Sequence, residues 1–339
     1  MKRSLLSACR IPARILRGLS VLACLTAIAL SASAQGDAQM TQYWAVPAFY
    51  NPAYSGQIDY IRIRGGAKLQ WIGISNAPRS FLATADMPVK LGKKQRLGVG
   101  VNFQQESLGL FSNLLVGAQV SYKLNLLKGV FSIGLQPAYY NSKFRGTDVV
   151  LPDGDDYHQP SDEAIPTTDV TGNAFDLSAG VSYSHKYFNI GLSCLHILEP
   201  TVELTKESAS ETETAQYMTV LPRQLYFTAD GNIPLRNSLF SLQPSMLVRT
   251  DFLNFSAELT MRATYNRFLS FGVGYRYNDA VSAMVAAEFK NFFLGYAYDY
   301  PLTPIARASS GSHEIVAGYI IKLNMGDKNK NRHKSIRIM

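Results

Sequence analysis

The sequence is poor in cysteine and in charge, and it has no long apolar run after its first 34 residues. Two of its three cysteines, Cys9 and Cys24, lie before residue 35. With Cys194 alone in the remainder, an intramolecular disulfide and a cysteine-based metal site are excluded there. Charged residues make up 17% of the chain, against about a quarter in soluble domains. No apolar run after residue 34 reaches the roughly 18 residues of a transmembrane helix.

Aromatic residues are frequent, with 19 tyrosines and 17 phenylalanines, and the mean hydropathy is close to zero. This combination is typical of a transmembrane β-barrel. Each strand of such a barrel turns one face to lipid and the other to a polar lumen, so the apolar and polar contributions cancel in the average.

The first 34 residues have the layout of a cleavable signal peptide. Five basic residues come first, an apolar run covers residues 19–30, and Ala32-Ser33-Ala34 offers a small-residue site. We predict cleavage after Ala34 rather than an anchor helix or lipidation at Cys24, because the run is short and small or apolar residues follow it. Removing residues 1–34 lowers the net charge from +8 to +3. Composition then gives no support for nucleic-acid binding.

Alternation of apolar with polar or glycine residues recurs along the rest of the chain, as in residues 175–184. A helix would spread these apolar residues around its circumference, whereas a strand places them on one face. The pattern predicts an all-β fold, a transmembrane antiparallel β-barrel over residues 58–325. A soluble β-sandwich is the alternative, and aromatic clusters at strand ends favour the barrel. We predict about 14 strands, at 58–71, 80–87, 95–108, 112–124, 129–141, 173–184, 187–195, 223–233, 239–250, 254–264, 268–277, 280–289, 292–300 and 311–323.

The connections between these strands alternate in length, which predicts an orientation. Short turns follow even strands, and the long connections 142–172 and 196–222 follow odd ones. Outer-membrane barrels have short periplasmic turns and longer external loops, so both termini are predicted to be periplasmic. The long connections are acidic, and the tail at 326–339 is basic and predicted to be a periplasmic extension.

Motifs that carry chemistry are scarce. The sequence contains no Gly-x-Ser-x-Gly, His-Glu-x-x-His or phosphate-binding glycine loop, so no enzyme activity, cofactor or metal is predicted. A Ser–His–Asp site at the barrel rim stays open, because triads are recognised by geometry rather than by sequence order. The acidic run at 153–156 contains carboxylates that suit Ca²⁺, but solvation is the favoured interpretation of such a run. Mixed charges in the lumen fit either a plugged interior or a weakly selective channel.

The most unusual segment is residues 35–57, which precedes the first strand. It holds five aromatic residues and two prolines within 42–56. Aromatics in a non-helical stretch interrupted by proline are expected to be buried somewhere, which favours a plug or a contact with a periplasmic partner.

This segment resembles the amino-terminal signature of the PorP/SprF family of type IX secretion outer-membrane proteins. The resemblance rests on Gln42-Tyr43, then Tyr50-Asn51-Pro52-Ala53-Tyr54-Ser55-Gly56, and then Gln70-Trp71-Ile72-Gly73. Asp86-Met87-Pro88 and the glycine-rich strand from Leu97 continue it, whereas the later strands match only as a general barrel. Ile72 departs from the proline that is frequent in the family.

The resemblance implies a non-enzymatic outer-membrane component of the type IX protein secretion machinery. Its implied partners are periplasmic ring proteins, the secretion channel, and secreted or surface-anchored cargo such as gliding adhesins. An outer-membrane porin or ligand-transport channel is the alternative. The residues of the motifs are candidates for partner binding: Tyr43, Trp44, Tyr50, Asn51, Pro52, Tyr54, Gln70 and Trp71.

Overall fold

The computed structural model describes residues 37–91, 95–149, 166–206, 217–235 and 239–323. The predicted signal peptide 1–34, the basic tail 326–339 and most of the acidic residues of the long connections lie outside these ranges. Across the described ranges, no helix has the length and apolar character that crossing a membrane requires.

Fourteen strands close into an antiparallel barrel, which confirms the predicted fold and strand number. The barrel consists of β1 to β7, β10 and β12 to β17, and β1 pairs with β17 over ten residue pairs to close it. The described strands are β1 Tyr60–Leu69, β2 Arg79–Leu91, β3 Gln95–Leu108, β4 Phe111–Leu126, β5 Gly129–Phe144, β6 Val170–Ser184, β7 Phe188–Leu195, β8 Thr201–Lys206, β9 Tyr217–Val220, β10 Gln224–Gly231, β11 Ile233–Pro234, β12 Phe240–Thr250, β13 Phe255–Tyr265, β14 Leu269–Arg276, β15 Ala280–Phe289, β16 Phe292–Pro301 and β17 Ser312–Lys322.

The period-two pattern of the sequence decides which face of each strand points outward. In β4, buried and exposed positions alternate strictly from Leu115 to Leu124. Outward side chains such as Val116, Val120 and Leu124 are apolar and exposed, whereas inward Gln119 is polar and buried. This alternation supplies an apolar outer surface for lipid and a polar lumen.

We name the two ends of the barrel by their connections. The short-turn end carries the turns that follow β4, β6, β13 and β15. The long-connection end carries the described residues 70–78, 145–149, 166–169, 196–200, 221–223 and 302–311. β1 begins and β17 ends at the short-turn end, where Tyr60 pairs with Lys322.

One predicted connection contains additional structure. Residues 196–222 were expected to be a loop, but they include the hairpin of β8 and β9. Val202 and Leu204 of this hairpin pack against inward-facing Leu115, Tyr140 and other apolar residues at the long-connection end of the barrel. The apolar–polar alternation of β8 extends over only six residues, about half the length of a typical strand of this barrel. So short a pattern is weak evidence for a strand, and the hairpin is not evident from sequence alone.

The chain before β1 lies lengthwise inside the barrel. We call residues 37–57 the lumenal segment. Asp37 contacts His196, just after β7 at the long-connection end, while Gln57 contacts Ser184 at the short-turn end. The segment therefore crosses the whole lumen before β1 starts. The described chain begins at the end opposite the start of β1. The assignment of this stretch as a plug or as a contact for a periplasmic partner stays a prediction.

Candidate functional site

The lumenal segment is compact because prolines and an asparagine set its local turns. Pro47 begins a single α-helical turn, Pro47–Tyr50, and Pro52 begins a 3-10 turn, Pro52–Tyr54. Proline suits the first position of a helical turn because its missing N–H has no helical partner there. The Asn51 side chain accepts a hydrogen bond from the Ala53 backbone N–H at 2.9 Å, which caps the second turn.

Four of the five aromatic residues of the segment, Tyr43, Trp44, Phe49 and Tyr50, belong to the hydrophobic core inside the barrel. The fifth, Tyr54, is buried as well. Trp44 packs edge-on against Phe293 of β16, with ring centroids 5.9 Å apart. The guanidinium of Arg262 stacks 3.6 Å from the Trp44 ring, a buried cation–π contact that is favourable when water is excluded. Burial of each such ring contributes on the order of 1.5–3 kcal/mol relative to exposure.

Two wall carboxylates bind the backbone of the segment at opposite ends. Glu314 of β17 accepts hydrogen bonds from the backbone N–H groups of Thr41, at 2.6 Å, and of Gln42, at 2.8 Å. Asp86 of β2 accepts one from the N–H of Gly56 at 2.7 Å. Hydrogen bonds to ionised acceptors are about twice as strong as neutral ones. The carboxylates therefore fix both the position and the direction of the segment.

A buried network of charges surrounds the Thr41 contact. Lys68 Nζ lies 2.9 Å from Asp299 Oδ2 and also donates to the backbone carbonyl of Gln39. Arg276 pairs with Glu258 at 3.0 Å and with Asp299 at 3.3 Å. These side chains come from β1, β13, β14 and β16, so the segment is tied to several separate strands.

Inward-facing glycines form a groove for the other half of the segment, which we call the glycine cradle: Gly98, Gly134, Gly180 and Gly191. A Cβ at Gly134 would overlap the backbone nitrogen of Ala53, and one at Gly98 would overlap the carbonyl oxygen of Ser55. Asn51 donates from its amide to the backbone carbonyl oxygens of Val181 and Leu192 beside the cradle. The glycines that repeat along the polar face of the strands are thus explained by close backbone approach.

Replacing Gly134 with alanine is expected to loosen the segment, because the new methyl group occupies the position of the Ala53 backbone. The expected loss is about 1–3 kcal/mol in the free energy of unfolding, the usual effect of overpacking. Urea unfolding of the purified barrel measures it. Gly65→Ala is the matched control, since its Cβ would meet only the Leu82 carbonyl oxygen, at 3.7 Å. Equal effects of the two substitutions would contradict the cradle.

The start of the segment is held at the long-connection end by a histidine between two carboxylates. His196 Nδ1 lies 2.7 Å from Asp176, and Nε2 lies 3.0 Å from Asp37. Arg249 donates to the Asp37 carbonyl oxygen at 2.7 Å. Burial disfavours the imidazolium, but the two carboxylates outweigh it and raise the pKa of His196 to about 10. Both ring nitrogens are engaged by carboxylates, so neither is available to activate a nucleophile.

Above the segment lies a cavity of about 540 Å³ that is open at the long-connection end, which we call the cup. Its floor is the start of the lumenal segment, Asp37 to Gln39, and residues 219–222, at the end of the β8–β9 hairpin and just after it, line one side. Inward side chains of β2 to β5 form one wall, and residues around the β12–β13 turn form the opposite wall.

The structure divides the eight predicted partner-binding residues into two groups. Tyr43, Trp44, Tyr50, Asn51, Pro52 and Tyr54 are buried in the lumenal segment and contact the barrel wall. Gln70 and Trp71 lie after β1, half-buried, and line the cup. In this conformation a partner reaches the first group only if the segment leaves the lumen, and the role of all eight residues in partner binding stays a prediction.

Alternation in the sequence places Lys68, Glu258 and Arg276 at lumen-facing positions. It did not identify two of the carboxylates that hold the segment. Asp299 and Glu314 lie on the inward phase of β16 and β17, and an acidic residue at an inward position was the available signal. The glycines of the cradle appeared in the sequence only as glycine-rich polar faces of strands. That these glycines and carboxylates all contact the lumenal segment could not be deduced without the path of residues 37–57.

The chain matches one protein family and resembles several barrels of known structure. The family described as "Type IX secretion system membrane protein PorP/SprF" matches residues 32–319, and no curated protein matches the sequence. The fold is similar to the Pseudomonas putida toluene transporter TodX, with 10% identity and a TM-score of 0.47 over 85% of this chain and 95% of that one.

Two further structures share the architecture at a similar level. The Acinetobacter baumannii outer membrane protein Omp33 has 5% identity and a TM-score of 0.42, over 78% of this chain and 98% of that one. A Pseudomonas aeruginosa FadL homologue has 10% identity and a TM-score of 0.42, over 81% and 93%. These are likenesses of fold, and no function follows from them.

Proposed function

Because this chain belongs to the PorP/SprF family of type IX secretion system membrane proteins, we propose that it is a non-enzymatic, non-conducting outer-membrane scaffold of that machinery. Its proposed partners are the periplasmic ring proteins, the secretion channel, and secreted or surface-anchored cargo. The observation that supports a scaffold over a pore is the lumenal segment. It is bound to wall residues on strands around the barrel, from Asp86 of β2 to Glu314 of β17.

The two ends of the barrel differ in charge, which supports a division of partners between them. The connection 142–172 carries seven acidic and two basic residues, and 196–222 carries five acidic residues and one basic residue. We assign this end to the cell exterior and to cargo. The short-turn end, with the basic residues of 326–339, is assigned to the periplasmic components, and export by a signal peptide at 1–34 belongs to the same proposal.

A clean deletion of the gene tests this function. The expected result is loss of secretion or surface display of specific proteins, measured by proteomics of the medium and of the cell surface. Uptake of small hydrophilic solutes should stay unchanged, because a filled barrel contributes no diffusion path. Complementation with the full chain is the control. Normal secretion together with slower solute uptake would support the porin alternative instead.

A further inference from the structure

The cup contains polar side chains with unused hydrogen-bonding capacity. Gln104 on β3 is only 7% exposed and lines the cavity, yet its side-chain amide has no hydrogen-bond partner among the described residues. Buried polar groups are paired in the great majority of cases. The Gln104 amide lines the cavity and is therefore available to bond to a ligand that enters it.

Glu106, the next inward-facing residue on β3, also has unused hydrogen-bonding capacity. Glu106 is 6% exposed, and its one hydrogen bond comes from the Ser80 hydroxyl at 3.3 Å. No cation of the described chain lies within ion-pair distance of it. Across the β3–β4 ladder Glu106 stands opposite Asn113, and Asn113 stands opposite Ser142 of β5. Together these groups form a continuous polar row on one wall of the cup.

The cations that border the cup are already engaged. Lys68 pairs with Asp299, Arg276 pairs with Glu258 and Asp279, and Arg249 donates to the backbone of Asp37. Glu106 therefore has no paired cation among the described residues, and a cationic ligand would stabilise its ionised form. Acidic residues outnumber basic ones in the sequence of the connections 142–172 and 196–222, which favours the same sign of ligand charge.

We propose that the cup binds an extended polypeptide segment that carries a lysine or arginine. The cationic side chain pairs with Glu106. The Gln104 amide bonds to peptide groups of the ligand through both its oxygen and its NH2 group, and Asn113, whose Oδ1 already accepts from Ser142 at 2.8 Å, donates through its NH2 group. The volume is within the range of about 300–1,000 Å³ that is usual for ligand sites. The inference rests on the proposed function only in taking exported cargo as the source of the segment.

Binding is measured by titration calorimetry on the full-length barrel in detergent. The probe is a blocked, unstructured peptide of glycine and serine with one central lysine, and a second peptide has glutamate in its place. We expect the lysine peptide alone to bind. Glu106→Gln and Gln104→Leu should each weaken it by about tenfold or more, the effect of losing a charge-assisted or buried hydrogen bond.

Glu203→Gln is the matched control, because Glu203 is an exposed residue on β8 at the same mouth but outside the cup. It should leave affinity nearly unchanged, and heat-modifiable gel mobility reports that each variant is folded. If Glu203→Gln weakened peptide affinity as much as Glu106→Gln, the effect would be one of long-range charge, and the proposed site would be wrong. The proposal would also be wrong if the lysine peptide did not bind, or if a neutral oligosaccharide bound to the barrel and Glu106→Gln left that binding intact.

The peptide titration and the gene deletion test the binding site and the proposed function separately. If the purified barrel binds the lysine peptide but deletion leaves secretion normal, the proposed function fails and the site stands. If secretion is lost but the peptide does not bind, the secretion role stands and the cup has another purpose.

Discussion

Deletion of residues 38–56 is expected to convert a non-conducting barrel into one that conducts ions. The deleted stretch carries the aromatic core and the backbone that fills the glycine cradle, while the strand pairing that closes the barrel at β1 and β17 remains. A lumen of 14 strands without an internal segment has room for water. Single-channel recording in planar bilayers should therefore show no steps for the complete chain and clear open steps for the deletion variant.

Heat-modifiable gel mobility shows whether the deletion variant still forms a barrel. If it does not, Lys68→Met takes its place, because this residue links the wall to Gln39 and Thr41, and intermittent opening is the expected result. Open steps from the complete chain, at the level of the deletion variant, would reject the non-conducting scaffold and favour a porin.

Lys68→Met is also expected to lower the free energy of unfolding by about 3–5 kcal/mol. Removing one partner of a buried ion pair leaves its counter-charge less compensated. Asp299, 2.9 Å from Lys68, would keep only Arg276 at 3.3 Å, and Glu314, 3.9 Å from Lys68, would have no cation within ion-pair distance among the described residues. Urea unfolding of the barrel in lipid or detergent measures the change. The two carboxylates then face the lumenal segment without their nearest ammonium group, so the segment should also become more susceptible to proteolysis.

Arg96→Met is the control for this prediction. Arg96 and Asp59 form an ion pair of similar length, 3.1 Å, but their side chains are 45% and 41% exposed. Exposed pairs contribute about 0–1 kcal/mol, since solvent screens the attraction. A similar loss for both variants would show that burial of the Lys68 network has no special effect on stability.

The strands were largely predictable because their signal is local. β3 and β15 have the predicted bounds, and most others differ by one to three residues. The largest difference is β2, predicted to end at residue 87 but extending through Pro88 to Leu91. Proline is unfavourable within a strand because it lacks a donor, yet Pro88 stays in register opposite Gly98, and β2 continues past it.

The candidate site was only partly predictable. Burial of the aromatic residues at 43–54 was expected from their chemistry, but not the direction in which the chain crosses the lumen. Gln104 and Glu106 belong to an ordinary polar phase of β3, and only the cavity in front of them distinguishes them from Gln119, whose amide is satisfied by the Ala48 carbonyl oxygen and Gln136.

Local patterns in the amino-acid sequence are sufficient to establish a transmembrane barrel, the number of strands that close it, and the face of each strand that meets lipid. These properties follow from period-two alternation and from connection length, which neighbouring residues encode. The contacts between inward-facing groups follow instead from the three-dimensional arrangement of the strands. Thr41 contacts Glu314, 273 residues away, and Lys68 contacts Asp299, 231 residues away. Such contacts depend on strand register, barrel closure and the path of the lumenal segment, which no local pattern specifies.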